Sequence, residues 1–490
     1  NTLEGSPIVE LYNYLRVDAT AIGNHEFDFG PQGPDRVQVQ STQDPLGALR
    51  LRMKEAHFPF LSVNIIDRLT GRPLPDIAPS KVIEKEGVTI GIIGATTQHT
   101  PESTIAANVA HLKFVDPIPL IKSEALRLKK EGVDFIVITY HEGEKCKDHS
   151  LESLDDVKTC STESILPLID QMPKGLIDVI VAGHTHRDLI KRYKGVVILQ
   201  SGARGQYLTW AELSKNDSTP VASSQVSKTE ICELAQEDKN GEFVCQSWSV
   251  RKNDRPFTAR TFKGVVIVPD EWVETHIVHP NVSRVVALKS RKTKVVVDGN
   301  MDRRYSGESP LGNWFTSSMQ AAAAHAGYDT DAAVINNGGL RANISDTTVT
   351  YGDIFSVLPF DDTLAVLELT GNQVRKMIEM QLSNSEGYSL SGITFHANHQ
   401  CQISDVQING KPLDPEATYK VLTLDFLASG GSGFKSLEVK KEKIHFLYEL
   451  GFLRDLLFQN FKQEDQVVTP YSYFNASIQR QNAPTVCLQR

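Results

Sequence analysis

The chain has 490 residues, which at roughly 150 residues per domain sets an expectation of about three domains. With 40% apolar and 23% charged residues it has the composition of an ordinary globular protein, not of a disordered, collagenous or coiled-coil one. Its 51 Lys and Arg against 60 Asp and Glu leave a net charge of −9, which argues against coating nucleic acid or an anionic membrane by bulk electrostatics. An anionic ligand would have to be held by local arginines or by metal. No apolar run approaches the ~18 residues of a membrane span.

In chain order, short β-branched runs alternate with amphipathic stretches. Residues 18–22 read as a strand, as do 88–94, 133–139 and 176–182, and each runs into a polar, Gly-bearing loop. Residues 117–131 carry Ile118, Ile121, Ala125 and Leu128 at helical spacing, with lysines at the far end as a helix C-terminus prefers. This is an α/β pattern. From 214 to 256 the chain turns Ser-, Lys- and Glu-rich, which suggests a surface excursion. Residues 270–293 look helical, interrupted by Pro280, and read as a connector. A second α/β segment begins with a strand at 294–298 and runs to the end.

The six cysteines form no C-x-x-C, so a zinc ribbon or thioredoxin-type pair is not expected. Their spacing suggests Cys146–Cys160 and Cys232–Cys245 as local loops, with Cys401–Cys487 as a long-range pair. Disulfides, and the weaker signal of four N-x-[ST] sequons at Asn216, Asn281, Asn343 and Asn475, point to a secreted or cell-surface glycoprotein, periplasmic if bacterial.

Three strand ends carry chemistry. Gly23-Asn24-His25-Glu26-Phe27-Asp28 follows the first strand, where α/β folds bind ligands. The Asn24 carbonyl oxygen is a neutral hard metal donor, and Asp28 is placed to orient the His25 imidazole. Gly183-His184-Thr185-His186 follows the strand at 176–182; on an extended segment, histidines two apart point to one side and can reach neighbouring ions. Tyr140-His141-Glu142-Gly143 ends the strand at 133–139.

In this order the G-N-H-E-F-D string, the middle His and the G-H motif resemble the calcineurin-like metallophosphoesterases, and more narrowly the two-domain 5′-nucleotidases. The resemblance extends over nearly the whole chain. Asn336-Asn337-Gly338-Gly339-Leu340-Arg341 looks like the family's nucleotide-binding loop. Val357-Leu358-Pro359-Phe360 and the stretch Asp425-Phe426 to Gly433-Phe434 resemble the segments whose aromatics sandwich the base. The resemblance implies a four-layer αββα metallophosphoesterase domain over 1–269, a helical connector over 270–293, and a smaller α/β substrate-binding domain over 294–490. It implies two divalent ions, zinc first, with Mn, Mg, Co or Ca as alternatives. Asn24, His141 and His184 would serve one ion and His186 the other, with His25 and Asp28 catalytic. Asn336, Arg341, Phe360, Phe426, Arg303, Arg304 and Ser432 would bind substrate. The implied activity is hydrolysis of a nucleoside 5′-monophosphate to nucleoside and phosphate. The implied partner is the nucleotide itself, with no nucleic acid, no membrane span, and a homodimer compatible with the family.

The sequence departs from the family in two respects. The family's early D-x-H and following G-D motifs belong upstream of Gly23, where only twenty-two residues stand, and no D-x-H occurs elsewhere. Two Asp and one His are thereby absent, including the carboxylate expected to bridge the ions. The sequence is then either a piece of a longer chain or a catalytically inactive nucleotide-binding or interaction protein of the same fold. The first is expected, because losing central strands costs more than losing ligands. Ser432 also stands where the family usually has Asp contacting the ribose, and Tyr305 and Gly307 lie near its arginines. A nucleoside di- or triphosphate or cyclic-nucleotide hydrolase would use the same residues.

Overall fold

The structure, a computed structural model, describes residues 3–33, 37–38, 40–147, 154–161, 165–216, 219–232, 234–237, 243–245, 258–262, 264–383, 386–398, 400, 402–474 and 478–480. The chain divides into two compact units, Asn1–Asn281 and Val282–Arg490.

The first unit is built on a six-stranded sheet in the order Ser80–Lys85, Val88–Thr96, Phe135–His141, Val179–Ala182, Val196–Ser201, Asp188–Tyr193. The four central strands run parallel, and each edge strand folds back antiparallel on its neighbour. Helix Pro117–Lys130 makes the crossover between the second and third strands, as its spacing predicts, burying Ile121, Ala125 and Leu128. Asp116 caps it by accepting from the Ile118 N–H at 3.0 Å. Two strands start later than their apolar runs. The Asp134 carboxylate takes the Thr89 N–H at 2.9 Å and the Asp178 carboxylate the Ile136 N–H at 2.8 Å, so side chains replace ladder bonds there.

The strand expected at 18–22 is shorter, Thr20–Ala21, and pairs in parallel with Phe60–Leu61. The pair lies directly on the large sheet at Gly94: a Cβ built there would come within 2.4 Å of the Leu61 carbonyl oxygen. Around it Ile22, Phe27, Phe58, Phe60, Ile65, Leu112 and Phe114 form one core, while Ile93, Ile121, Ile136, Ile138 and Ile180 form another within the large sheet.

The polar stretch from 214 is not a simple excursion. Tyr207–Asn216 and Thr219–Glu230 pair as a long antiparallel hairpin, with a register shift between Ala211 and Leu213. The sequence of its second strand is rich in Ser and Thr and so lacks the apolar alternation that marks a strand. Cys146 and Cys160 are disulfide-bonded, as their spacing suggests. Cys232 is also disulfide-bonded. The side chain of Cys245, and Cys401 and Cys487 altogether, lie outside the described residues.

Pro280 does not interrupt the connector. Residues 271–289 stay helical because Glu274–Val278 winds as a single π turn just before His279–Lys289. A π turn widens the ladder where proline lacks its N–H, and the Ile277 carbonyl accepts the Asn281 side-chain amide at 2.7 Å. Trp272 stacks between Tyr14 (4.6 Å) and His276 (4.7 Å), tying the start of the connector to helix Ser6–Tyr14.

In the second unit a five-stranded sheet runs Tyr388–Ser391, Ala332–Asn336, Thr418–Leu424, Leu364–Thr370, Ile444–Phe446. The strand expected at 294–298 is longer, Lys292–Met301, and lies between Ile344–Thr350 and Gln466–Val468. Helix Pro310–His325 packs on these sheets with Trp314 and Phe315 fully buried against Phe461. Ser309 caps it by accepting from the Gly312 N–H at 3.1 Å.

Gly94 thus sets how closely the Thr20–Ala21 and Phe60–Leu61 pair approaches the sheet. Gly94→Ala is expected to lose about 1–3 kcal/mol of stability by overpacking, read as a lower urea midpoint; an unchanged midpoint would show that the two layers can separate without cost.

Candidate functional site

Three parallel-type strands of the first unit end level with one another, and their loops meet. Ile22 leads into Gly23, where a Cβ would lie 2.7 Å from the His141 ring, so only glycine lets that imidazole rest on the backbone. Asn24 is buried. Its Oδ1 is 2.8 Å from His141 Nε2, and its Nδ2 donates to the Ser103 carbonyl at 2.7 Å. His25 opens a 3-10 turn, His25–Phe27, which turns its ring back so that Nδ1 meets Asp28 Oδ2 at 2.7 Å. The other Asp28 oxygen accepts from Thr104 Oγ1 at 2.8 Å, which fixes the carboxylate. The His25 side chain is 66% exposed and that of Asp28 only 9%: a held base beneath a presented imidazole. Glu26 turns inward to accept the Gly23 N–H at 2.7 Å, and burial pushes its carboxyl up.

His141 is the last residue of its strand, paired with Thr96. Burial pushes its imidazole down to about 4, and the charges of His184, His25 and His186 act in the same direction. Its ring centre is 5.1 Å from that of His184, whose imidazole burial also lowers, against the opposing charge of Glu142. The four histidines therefore gather, but not by strand alternation. His184 and His186 adopt φ of 64° and 58°, the left-handed region, so the segment is a tight turn where an extended one was expected. Gln200 imposes it: Nε2 donates to Thr185 Oγ1 and to the Arg187 carbonyl, both at 2.7 Å. Non-glycine residues in this conformation are costly and gather at functional sites. A cavity of about 450 Å³ opens beside His184, lined also by His99, Glu142, Lys145 and Ser161.

As metal donors, Asn24, His141, His184 and His186 are all neutral. Among the described residues no three His, Cys, Asp or Glu side chains are grouped to hold an ion. Glu142, next to His141, is engaged by Thr97 Oγ1 at 2.7 Å and by the Gly143 N–H at 3.0 Å. These four donors alone do not fit two dications, whose charge needs anionic oxygen donors.

In the second unit, Ala332–Asn336 runs into the turn Asn337–Gly339. Asn336 is buried, with Nδ2 on Glu386 Oε1 at 2.8 Å and Oδ1 without a hydrogen-bond partner. Asn337 is locked beneath the loop by Ser389 Oγ at 2.6 Å and the Gly307 carbonyl at 2.7 Å. Phe360 and Phe426 are each 49% exposed, unlike the aromatics of the core. The Phe426 ring covers Gly431, where a Cβ would lie 2.5 Å from it. The Phe360 carbonyl accepts from Arg454 Nη1 at 2.7 Å. Arg454 itself is buried, ion-paired to Asp361 and placed over the rings of Phe452 (4.6 Å) and Phe355 (5.1 Å).

Among the expected arginines, Arg341 is exposed and bonds the Gly338 carbonyl at 3.2 Å. Arg303 donates to the Leu340 carbonyl at 2.7 Å, and Arg304 lies 5.1 Å over the Phe474 ring, so both are used within their own unit. Ser432 sits at φ 45°, ψ 35° and donates to Glu386 Oε2 at 2.7 Å. Glu386, Arg454 and Gln200 were not singled out in the sequence; each is a lone polar residue without a motif.

Beneath the loops of Phe360 and Phe426 lie two carboxyl groups. Burial pushes Asp362 up to about 7, helped by the charges of Asp425 and Asp361 against Arg454. Burial also raises Asp425, although the Thr363 and Phe426 N–H groups bond it. In the unfolded chain Asp362 ionises near 3.8. Between that value and about 7 the folded state holds the extra proton, so its stabilising contribution is complete below the lower value and lost as pH rises through the upper one. Asp362→Asn, which stays neutral, is expected to gain melting temperature over the unsubstituted chain as pH rises from 4 to 7, with a constant gap above. A gap independent of pH from 4 to 8 would show that Asp362 ionises freely in the fold.

Residues 286–438 match the family described as 5′-nucleotidase, C-terminal domain. The chain is 27% identical over 435 residues to endonuclease YhcR of Bacillus subtilis, covering 87% of this chain but only 31% of that protein. It is 26% identical over 453 residues to a 5′-nucleotidase of Vibrio cholerae, covering 86% of this chain and 72% of the relative. A solved structure of a putative 5′-nucleotidase from Staphylococcus aureus shares the fold, with TM-score 0.65 at 18% identity over 96% of this chain and 86% of that one. Residues 286–438 are thus a 5′-nucleotidase C-terminal domain, and the similarity to relatives of that kind runs through both units of the chain.

Proposed function

We propose that the chain is a nucleotide-hydrolysing phosphoesterase, converting a nucleoside 5′-monophosphate to nucleoside and phosphate. The observation that carries this is the pair of half-exposed rings, Phe360 and Phe426, on segments hydrogen-bonded to the Asn336–Arg341 loop, through the Arg341 N–H on the Val357 carbonyl and through Ser432, Glu386 and Asn336. Stacking a base on such rings is worth about 1–3 kcal/mol per base. Arg341 supplies local positive charge for phosphate on a chain whose net charge is −9. Residues 1–269 form the metal-binding domain in this reading, 270–293 the connector, and 294–490 the substrate domain.

His25 is the catalytic imidazole. With Nδ1 held by Asp28 at 2.7 Å, its Nε2 can carry a proton to the departing 5′-oxygen or hydrogen-bond the transition state. Asp28 sets the tautomer and, fixed by Thr104, keeps the ring from swinging. Divalent ions, zinc first, belong to this reading, with Asn24, His141, His184 and His186 among their donors. Those four need carboxylate partners before they fit such ions. The Cys146–Cys160 disulfide supports a location outside the reducing cytosol.

The neutral donor set favours a second reading, a nucleotide-binding protein of this fold without catalysis. A single panel separates the two. Mono-, di-, tri- and cyclic nucleotides are offered with Zn, Mn, Mg, Co or Ca, and phosphate release, bound nucleotide and bound metal are measured. The first reading expects metal-dependent phosphate release from monophosphates, abolished by chelation, with His25→Gln lowering kcat by about 100-fold or more at similar KM. Nucleotide binding without hydrolysis under any metal would replace it by the second, and absence of both would overturn both.

A further inference from the structure

The carboxylate of Glu386 is the meeting point of the two glycine-rich loops of the second unit. Its Oε1 accepts from Asn336 Nδ2 at 2.8 Å and from the Gly338 N–H at 3.0 Å, while Oε2 accepts from Ser432 Oγ at 2.7 Å. The approach is close: a Cβ on Gly338 would lie 2.1 Å from Oε1. Ser432 is held in turn, since its carbonyl accepts from the Tyr388 hydroxyl and its backbone is left-handed at φ 45°. The preceding residue, Gly431, lies against the Phe426 ring. The carboxylate is therefore anchored from three directions, one residue away from an exposed aromatic face.

This geometry decides what hydrogen-bonding character the spot offers a ligand. A carboxylate has about four lone-pair positions, and three are used, leaving acceptor capacity on Oε2. Ser432 spends its only proton on that same oxygen, so what its hydroxyl still presents is also lone pairs. Ser432 and Glu386 together thus form an acceptor-only surface beside a stacking ring. The complementary ligand group is one with adjacent donors, and a pair of neighbouring sugar hydroxyls has that form. Charge-assisted bonds from hydroxyl to carboxylate are stronger than those between neutral partners.

We propose that Glu386, oriented by Asn336, Gly338 and Ser432, is the residue that reads the vicinal hydroxyls of the ribose in a nucleoside stacked on Phe426. The inference rests on the nucleotide reading above and adds the group that selects the sugar. It also gives Ser432 a role that a hydroxyl alone fills poorly: the carboxylate comes from Glu386, and the serine fixes where it points.

The test uses nucleosides, so it needs neither bound metal nor turnover. Binding of adenosine and of 2′,3′-dideoxyadenosine to the full chain is measured by calorimetry, with thermal unfolding as the folding control. The unsubstituted chain is expected to prefer adenosine by roughly tenfold or more, the worth of a charge-assisted hydrogen bond. Glu386→Gln keeps the shape, removes the charge and replaces one of the two acceptor oxygens by a donor, and should abolish that preference, leaving dideoxyadenosine affinity within about twofold. Adding Ser432→Asp to Glu386→Gln returns a carboxylate to the same spot, since Asp tolerates a left-handed backbone, and should restore the preference. A merely structural role would not produce that rescue. Equal weakening of both nucleosides, or tighter adenosine binding once the carboxylate is gone, would overturn the proposal while leaving the nucleotide reading intact. A chain that binds neither nucleoside would overturn both.

Discussion

Parallel strand register is the constraint from which the first unit's site follows. Thr96 pairs with His141 and Tyr140 with Ala182, so three adjacent strands stop at the same height. Residues at those carboxyl ends, Thr97, Glu142 and Gly183, then lie within hydrogen-bonding reach of one another: Thr97 bonds Glu142, and the Gly183 N–H bonds the Glu142 carbonyl at 2.9 Å. A slip of one residue would turn His141 to the other face of the sheet. The short Thr20–Ala21 strand joins this arrangement only because Gly94 lets its partner Leu61 lie against the sheet, and because the Ile22 carbonyl accepts Thr96 Oγ1 at 2.8 Å. Position is thus set by backbone, and chemistry by the side chains at or just past the strand ends.

That division explains which parts were legible in sequence. β-Branched runs at 88–94 and 133–139 are strands because their apolar residues fill the core, and the loops after them are visible as Gly beside His. Helix Pro117–Lys130 shows its buried face directly in its spacing. What sequence hides is polar residues whose meaning comes from a distant neighbour. Gln200 in the strand Val196–Ser201 shapes the His184–His186 turn, and Arg454 in helix Leu453–Asn460 holds the Phe360 carbonyl. Glu386 reaches Ser432 across forty-six residues. None belongs to a local pattern, since a hydrogen bond between loops leaves no periodicity. The left-handed turn at His184 and His186 was hidden for a related reason: its cost is met by tertiary bonds, not by a glycine in the sequence.

The two units solve the problem of a net-negative chain differently. In the first, burial disfavours the charged forms of His141 and His184 and so preserves one acceptor nitrogen on each ring. In the second, Arg454 is spent on Asp361 and Phe360, Arg303 on Leu340, and Arg304 on Phe474. The polar surface beside Phe426 is consequently one of acceptors, with Arg341 as the exposed cation next to the Gly338 loop. A base can be held by rings, a sugar by acceptors and a phosphate by one guanidinium without moving the overall charge.

Four gathered imidazoles, faced by Asp28 at His25 and by Glu142 near His184, would be an unfavourable cluster if all were protonated. Each protonated ring would repel the next, and burial of His141 adds a desolvation cost to its charged form. Burial disfavours the charged forms of His141 and His184, which makes those two rings competent donors for a cation and poor holders of two. His25 has Asp28 within hydrogen-bonding distance and a side chain 66% exposed, and His186 is exposed as well. The chain therefore separates the presented imidazole of His25 from those of His141 and His184, whose charged forms burial disfavours. That separation rests on Thr104 bonding Asp28 and Asn24 bonding His141, two polar contacts that orient side chains at the site and add nothing to the apolar core.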